Sequence, residues 1–141
     1  MSLVQTVYYS SARNSLTDLE LGQIMEVSVR RNSASGITGM LLYLDGSFMQ
    51  VLEGDSAAVA ETLARIERDP RHTDLIVIHT ATLAAREFGQ WSMGFRSLHA
   101  KELTSHPNYA PFFERGFDIH TFAKRPDLAT QLLKEFGRSW K

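Results

Sequence analysis

Met40-Leu41-Leu42-Tyr43-Leu44-Asp45-Gly46-Ser47-Phe48-Met49-Gln50-Val51-Leu52-Glu53-Gly54 is the stretch from which the fold can be read. An Asp-Gly pair between two apolar runs is the strongest short-range signal for a β-hairpin, because Gly reaches the positive φ that a tight turn with the right twist demands. Along the second run, side chains alternate between faces: Phe48, Gln50 and Leu52 point one way, Met49 and Val51 the other. Both sets are largely apolar, so both faces of the sheet must be dry. Two helices can cover only one of them.

Working outward, Val4 to Ser10 is rich in β-branched and aromatic residues and reads as a first strand. Asn14-Ser15 breaks it. Thr17 and Glu20 form a T-x-x-E capping box with Leu16 as a staple residue, so a helix begins there, and Leu21, Ile24, Met25 and Ser28 follow helical spacing. Gly36 and Gly39 end that element. After the hairpin, Ala57 to Arg68 reads as a second helix with Val59, Leu63 and Ile66 on one side, stopped by Asp69-Pro70. The apolar run Leu75 to Ile78 suggests a central strand covered on both faces. Trp91 to Phe95 reads as the last strand.

The order is β-α-β-β-α-β-β, which predicts an α+β, ferredoxin-like fold: a five-stranded mixed sheet with two helices on one face. This unit spans residues 1–97. Residues 98–141 form a C-terminal extension punctuated by Pro107, Pro111 and Pro126, with a helix expected near Asp127 to Phe136. The second face is expected to be covered by that extension, through Phe112, Phe113, Phe117, Leu132, Leu133 and Phe136, together with another subunit.

Composition narrows the function. The chain has 141 residues, a formal net charge of -1 and no cysteine. The charge offers no basic field to nucleic acid and no polybasic stretch to anionic lipid. Without cysteine there are no disulfides, no thiol nucleophile and no cysteine–flavin adduct chemistry. The first residues lack the basic and apolar regions of a signal peptide, and no run has membrane-spanning length, so a cytoplasmic location is expected. His72, His79, His99, His106 and His120 lack metal-ligand spacing. No phosphate loop, Ser-His-Asp set or paired-carboxylate arrangement points to an enzyme.

Several polar or sulfur-bearing side chains fall where a plain core would not place them. Tyr8 lies mid-strand, Gln50 lies on an otherwise apolar strand face, and Asn32 ends the first helix on the side of Ile24 and Ser28. A buried carboxamide has up to four hydrogen-bonding sites to satisfy and costs a few kcal/mol if stranded. Trp91 and Met93 share a face of the last strand.

Tyr8-Tyr9-Ser10, Arg30-Arg31-Asn32, Gly36-Ile37-Thr38-Gly39, Phe48-Met49-Gln50-Val51-Leu52-Glu53-Gly54, Asp69-Pro70-Arg71-His72 and Trp91-Ser92-Met93 together resemble the BLUF family of flavin-using blue-light sensors. The resemblance covers about the first 97 residues. It implies the βαββαββ fold, FAD as cofactor and light sensing as the activity. FMN or riboflavin remains open, since no residue singled out reads the adenine. Tyr8 matches the photoactive tyrosine and Gln50 the switching glutamine, with Asn32 as anchor of the flavin ring and Trp91 and Met93 as the signal-relay pair. Tyr9 competes with Tyr8, but adjacent strand residues face opposite ways, and Tyr8 fits the Y-x-S spacing. Ile24 and Ile66 suit the aliphatic walls of an isoalloxazine slot, and Ser28 lies on the same side. Arg65 suits the ring edge or a phosphate, and Arg71 and His72 suit a phosphate tail.

The resemblance implies that light drives an electron and a proton from Tyr8 to the flavin and leaves Gln50 rotated or tautomerised. The last strand and the extension then signal to a separate effector protein, since the tail is too short to house an effector; a homo-oligomer is expected. Two rivals stay open. One is a small acyl-phosphate hydrolase on the same scaffold, for which Arg13 and Asn14 are the candidates. The other is a dimerising regulatory domain without photoactivity.

Overall fold

The computed structural model describes residues 2–12, 16–44, 46–89, 94–98 and 124–138. Its elements are β1 (Leu3–Ala12), α1 (Asp18–Ser35), β2 (Thr38–Leu44), β3 (Ser47–Asp55), α2 (Ser56–Arg68), β4 (His72–Thr82), β5 (Gly94–Leu98) and α3 (Pro126–Arg138). The class is α+β.

Local chemistry accounts for the boundaries. The Thr17 hydroxyl accepts from the Glu20 N–H at 3.1 Å, and the Glu20 carboxylate accepts from the Thr17 N–H at 3.1 Å, which closes the capping box and starts α1. Gly36 ends the helix at φ 70°, a left-handed conformation that costs glycine nothing, and its N–H bonds back to the Asn32 carbonyl. Asp55 caps α2 through the Ala57 N–H at 3.2 Å. Gly46 turns the hairpin at φ 96°.

The sheet order is β4-β1-β3-β2-β5. β1 runs antiparallel to β3 and β4, β2 antiparallel to β3, and β2 parallel to β5. One face carries Tyr8, Leu41, Phe48 and Leu52 under Leu21 and Ile24 of α1 and Val59 of α2. The opposite face carries Val7, Met40, Leu42, Met49 and Val51 under Phe88 and under Ala129, Leu132 and Leu133 of α3. Sheet, helix pair and α3 thus form three layers, and β3 is buried on both sides. Of the aromatic residues expected to help cover the second face, Phe112, Phe113 and Phe117 lie outside the described residues.

One expectation is corrected. The run Leu75 to Ile78 is not central: β4 is an edge strand, and Ile76 and Val77 are 39% and 44% exposed. Leu75 packs toward the helices and Ile78 toward α3, but among the described residues no element covers the strand's outer border, so a continuous apolar run here does not mean two covered faces. Of the last strand, expected over Trp91 to Phe95, the described part runs Gly94–Leu98, and Trp91 to Met93 lie outside the described residues. β5 pairs with β2, so β2 stands between it and the strand that carries Gln50.

Candidate functional site

Tyr8 and Gln50 are cross-strand partners in the β1–β3 ladder, which places their side chains side by side on the helix-covered face. The Tyr8 hydroxyl donates to Gln50 Oε1. Tyr8 is 1% exposed and Gln50 3%. Burial pushes the Tyr8 phenol well above its ordinary pKa, and the Asp69 carboxylate adds to the effect, so the phenol keeps its proton throughout the neutral range. Tyr9, one residue on, lies against the opposite core and shares a 2.9 Å hydrogen bond with Ser47. The strand's alternation separates the two tyrosines.

Above this pair a cleft opens between α1 and α2. It encloses about 600 Å³ of non-atom space, its solvent-facing mouth included. Tyr8, Ile24, Ser28, Asn32, Gln50, Arg65, Ile66, Arg71 and His72 all line it. The structure therefore brings together every residue assigned to the photoactive pair or to cofactor contact. Trp91 and Met93 lie outside the described residues. Five lining residues were not singled out from sequence: Val27, Arg31, Leu41, Thr62 and Asp69. Ile24-Val27-Ser28-Arg31 is a helical i, i+3, i+4, i+7 stripe, so the spacing that marked Ile24 also held the signal for Val27 and Arg31.

Asp69 governs one wall. It accepts from the Arg71 backbone N–H at 2.9 Å and from its guanidinium at 2.6 to 3.1 Å. Burial alone would favour the neutral acid, but the Arg71 bonds, with the charges of Arg71 and His72, hold the carboxyl below its ordinary range. His72 shares a 2.8 Å hydrogen bond between Nδ1 and Ser10 Oγ, and its ring lies 4.7 Å from that of Phe48. Burial lowers its pKa, only partly opposed by Asp69, which favours the neutral imidazole.

How His72 reaches the cleft follows from the β1–β4 ladder. Tyr9 pairs with Ile76, but Ser11, two residues on, pairs with Thr73, three residues back. The extra residue is a bulge, and Asp74 within it adopts φ 55°. A bulge reverses the alternation beyond it. His72 pairs with Ala12 on the face of Tyr8; without the extra residue it would point to the α3 side.

The cleft fits a planar, amphipathic group. Ile24, Leu41 and Ile66 give apolar walls, and Gln50 and Asn32 give carboxamides that both donate and accept. Asn32 is only 3% exposed and lines the cleft. A carboxamide in that position can pair with a polar ligand edge that both donates and accepts. Arg65, Arg71 and Arg31 at the border suit negative charge.

An α+β domain with a neutral buried phenol, two carboxamides and a helix-walled slot has the architecture of a sensor built around a flat heteroaromatic cofactor. The profile of the BLUF family, sensors of blue light using FAD, matches residues 3–94, and the chain belongs to that family. Among curated proteins it is 40% identical over 93 residues to photoactivated adenylate cyclase subunit beta of Euglena gracilis, covering 65% of this chain and 11% of that protein. The Euglena longa counterpart is 38% identical over 93 residues, again covering 65% of this chain and 11% of that protein. The chain thus spans only a small part of the length of these relatives. Among solved structures, the dark state of BlrB, a BLUF protein, superposes with a TM-score of 0.78 at 33% identity, covering 98% of this chain and 97% of that one. A bacterial light-regulated adenylyl cyclase gives a TM-score of 0.67 at 27% identity, covering 94% of this chain and 36% of that one. The BLUF unit is a photosensor that uses FAD. Among the described residues no helix is long and apolar enough to cross a membrane.

Proposed function

We propose that this chain reports blue light through the hydrogen bond between Tyr8 and Gln50, with the cleft between α1 and α2 as its flavin site. The bond itself carries the reading: a buried, protonated phenol donating to a carboxamide at the floor of that cleft. Bound there, the flavin supplies a ring that absorbs blue light and, once excited, accepts an electron. Ile24 and Ile66 hold it between the helices, Asn32 pairs with its polar edge, Ser28 and Arg65 border it, and Arg71 and His72 meet its more exposed end.

What the protein contributes is a two-position element. Gln50 carries an acceptor and a donor on a nearly symmetric frame. With Oε1 toward Tyr8 it accepts from the phenol. Turned by half a rotation, or tautomerised, it presents a donor in place of an acceptor without any change of shape. Tyr8 is the group whose proton can be given up along that bond. The packed surroundings make the two arrangements discrete.

We read the fold as ferredoxin-like βαββαββ, a reading supported by the order β4-β1-β3-β2 with β5 added beside β2. Residues 1–97 are the sensor unit and residues 98–141 the output extension, with Trp91 and Met93 as a relay between them. The domain itself is a non-catalytic, cytoplasmic sensor whose output goes to a separate effector protein, and it forms a homo-oligomer. The exposed Ile76 and Val77 favour association. An absorption spectrum of FAD-loaded protein before and after blue light tests the core of this proposal. A small reversible red shift, absent in Tyr8→Phe and Gln50→Ala, is expected; a normal shift in both variants would refute the assignments.

A further inference from the structure

Glu53 has no part in the cleft, yet it is 0% exposed. It lies three residues beyond Gln50 on β3 and on the opposite face, beside its cross-strand partner Gln5. No described cation pairs with its carboxylate. Instead the carboxylate accepts from Gln5 Nε2 at 2.7 Å, from the Glu87 N–H at 3.0 Å and from the Phe88 N–H at 2.8 Å. Three donors satisfy a buried anion and tie the segment after β4 to the end of β3.

That segment grips in several directions. Arg86 donates to the Gly36 carbonyl at the end of α1 at 2.8 Å, to Thr38 Oγ1 at 2.7 Å and to the Glu53 carbonyl at 3.0 Å. Glu87 accepts from Gln5 at 3.1 Å and pairs with Lys134 of α3 at 3.3 Å. Phe88 is buried against Leu132 and Leu133. Residues 86–88 therefore touch the end of the cleft helix, the strand that bears Gln50, and the helix on the far face of the sheet.

We infer that Glu53 is a positioning residue for signal output: through Glu87 and Lys134 it couples the register of β3 to α3, giving the switch a path to the extension that does not pass through the last strand. The inference rests on the proposal that residues 98–141 carry the output. A change at Gln50 strains β3, which is packed on both faces and shifts as a unit. The carboxylate transmits that shift because its three donors come from two separate backbone segments.

The test uses the full chain loaded with FAD, read in two ways: the red shift in blue light, and the light-minus-dark difference in amide hydrogen exchange over Pro126–Arg138. Glu53→Gln puts an amide nitrogen against N–H donors. Lys134→Glu and Glu87→Lys each break the outer pair on the surface. All three should keep the red shift, and each should reduce the exchange difference by about threefold or more. Combining Glu87→Lys with Lys134→Glu restores the pair in reverse and should restore the difference, which simple loss of stability would not do. If Glu53→Gln fails to fold, Lys134→Glu and the swapped pair decide. Wild-type exchange differences in these variants would overturn the proposal. So would a wild-type chain that shifts its spectrum with no change in α3. A wild-type chain with no red shift at all would instead overturn the sensing mechanism beneath it.

Discussion

Tyr8 and Gln50 face each other across the β1–β3 ladder, and the phenol donates to the carboxamide oxygen within a site that is almost fully buried. Their proximity is fixed by backbone register, so it does not depend on a ligand to assemble it. Tyr8→Phe should abolish the red shift while the flavin stays bound, since the ring volume is kept. Gln50→Ala should do the same and also strand the Tyr8 hydroxyl, lowering stability by about 1–3 kcal/mol. Denaturant melts and difference spectra on the same samples check both effects.

Alkaline titration should single out Tyr8. The chain has four tyrosines. Burial and Asp69 raise the Tyr8 pKa, so this phenol should stay protonated well above the ordinary tyrosine range. Because the folded value lies above the unfolded one, the native state holds an extra proton above about pH 10, and stability falls as pH rises further. Tyrosinate absorbance should include a component that ionises only with unfolding, and loss of that component in Tyr8→Phe identifies it.

The pH response of His72 has the opposite direction. Its folded pKa lies below the ordinary 6.5, chiefly through burial. As pH falls below that value the unfolded chain takes up the proton first, so stability drops from there down through the folded pKa. Melting temperatures between about pH 7.5 and about 5.5 should decline in the wild type, and the decline should flatten in His72→Asn.

The bulge on β4 makes a prediction about parity. Deleting Asp74 should restore plain alternation and turn His72 to the far face, abolishing its contacts with Ser10 and Phe48. Asp74→Gly should be tolerated, because φ 55° suits glycine, whereas Asp74→Val should cost about 1–2 kcal/mol. The ring-current shift of the His72 imidazole protons, read by NMR, separates the three.

Burial of Leu132 beneath the sheet can be tested directly. Leu132→Ala should cost about 2–5 kcal/mol. Val77→Lys, on the open edge, should change stability by about 0.5 kcal/mol or less. A large loss at Val77 would mean that β4 is covered after all.

Much of this was legible because it is written in local chemistry. The capping box gives the start of α1, Asp45-Gly46 gives the hairpin, and strand alternation separates Gln50 from Met49. The same alternation assigns Tyr8 and Tyr9 to different cores, and the surplus of apolar residues on β3 foretells a covered second face. The failures came where position in the sheet decides. Leu75 to Ile78 has the composition of a central strand, but an edge is a property of the whole sheet and leaves no mark on a short run. Asp69 showed in the sequence as a helix stop within a motif block but not as a site residue, because its grip on Arg71 and its influence on Tyr8 exist only after folding. Glu53 gave no signal beyond its place in the motif, since its donors, two backbone N–H groups and the Gln5 side chain, lie more than thirty residues away.

The two register shifts on β4 bear on how copies of the protein meet in a crowded solution. A straight, unpaired border of amides and carbonyls is a template for indefinite strand addition. Here the irregular ladder and the kink at Asp74 interrupt that template within a few residues, leaving Ile76 and Val77, among the described residues, as a short exposed apolar contact. Indefinite strand addition along this border is thereby disfavoured even though the strand is eleven residues long.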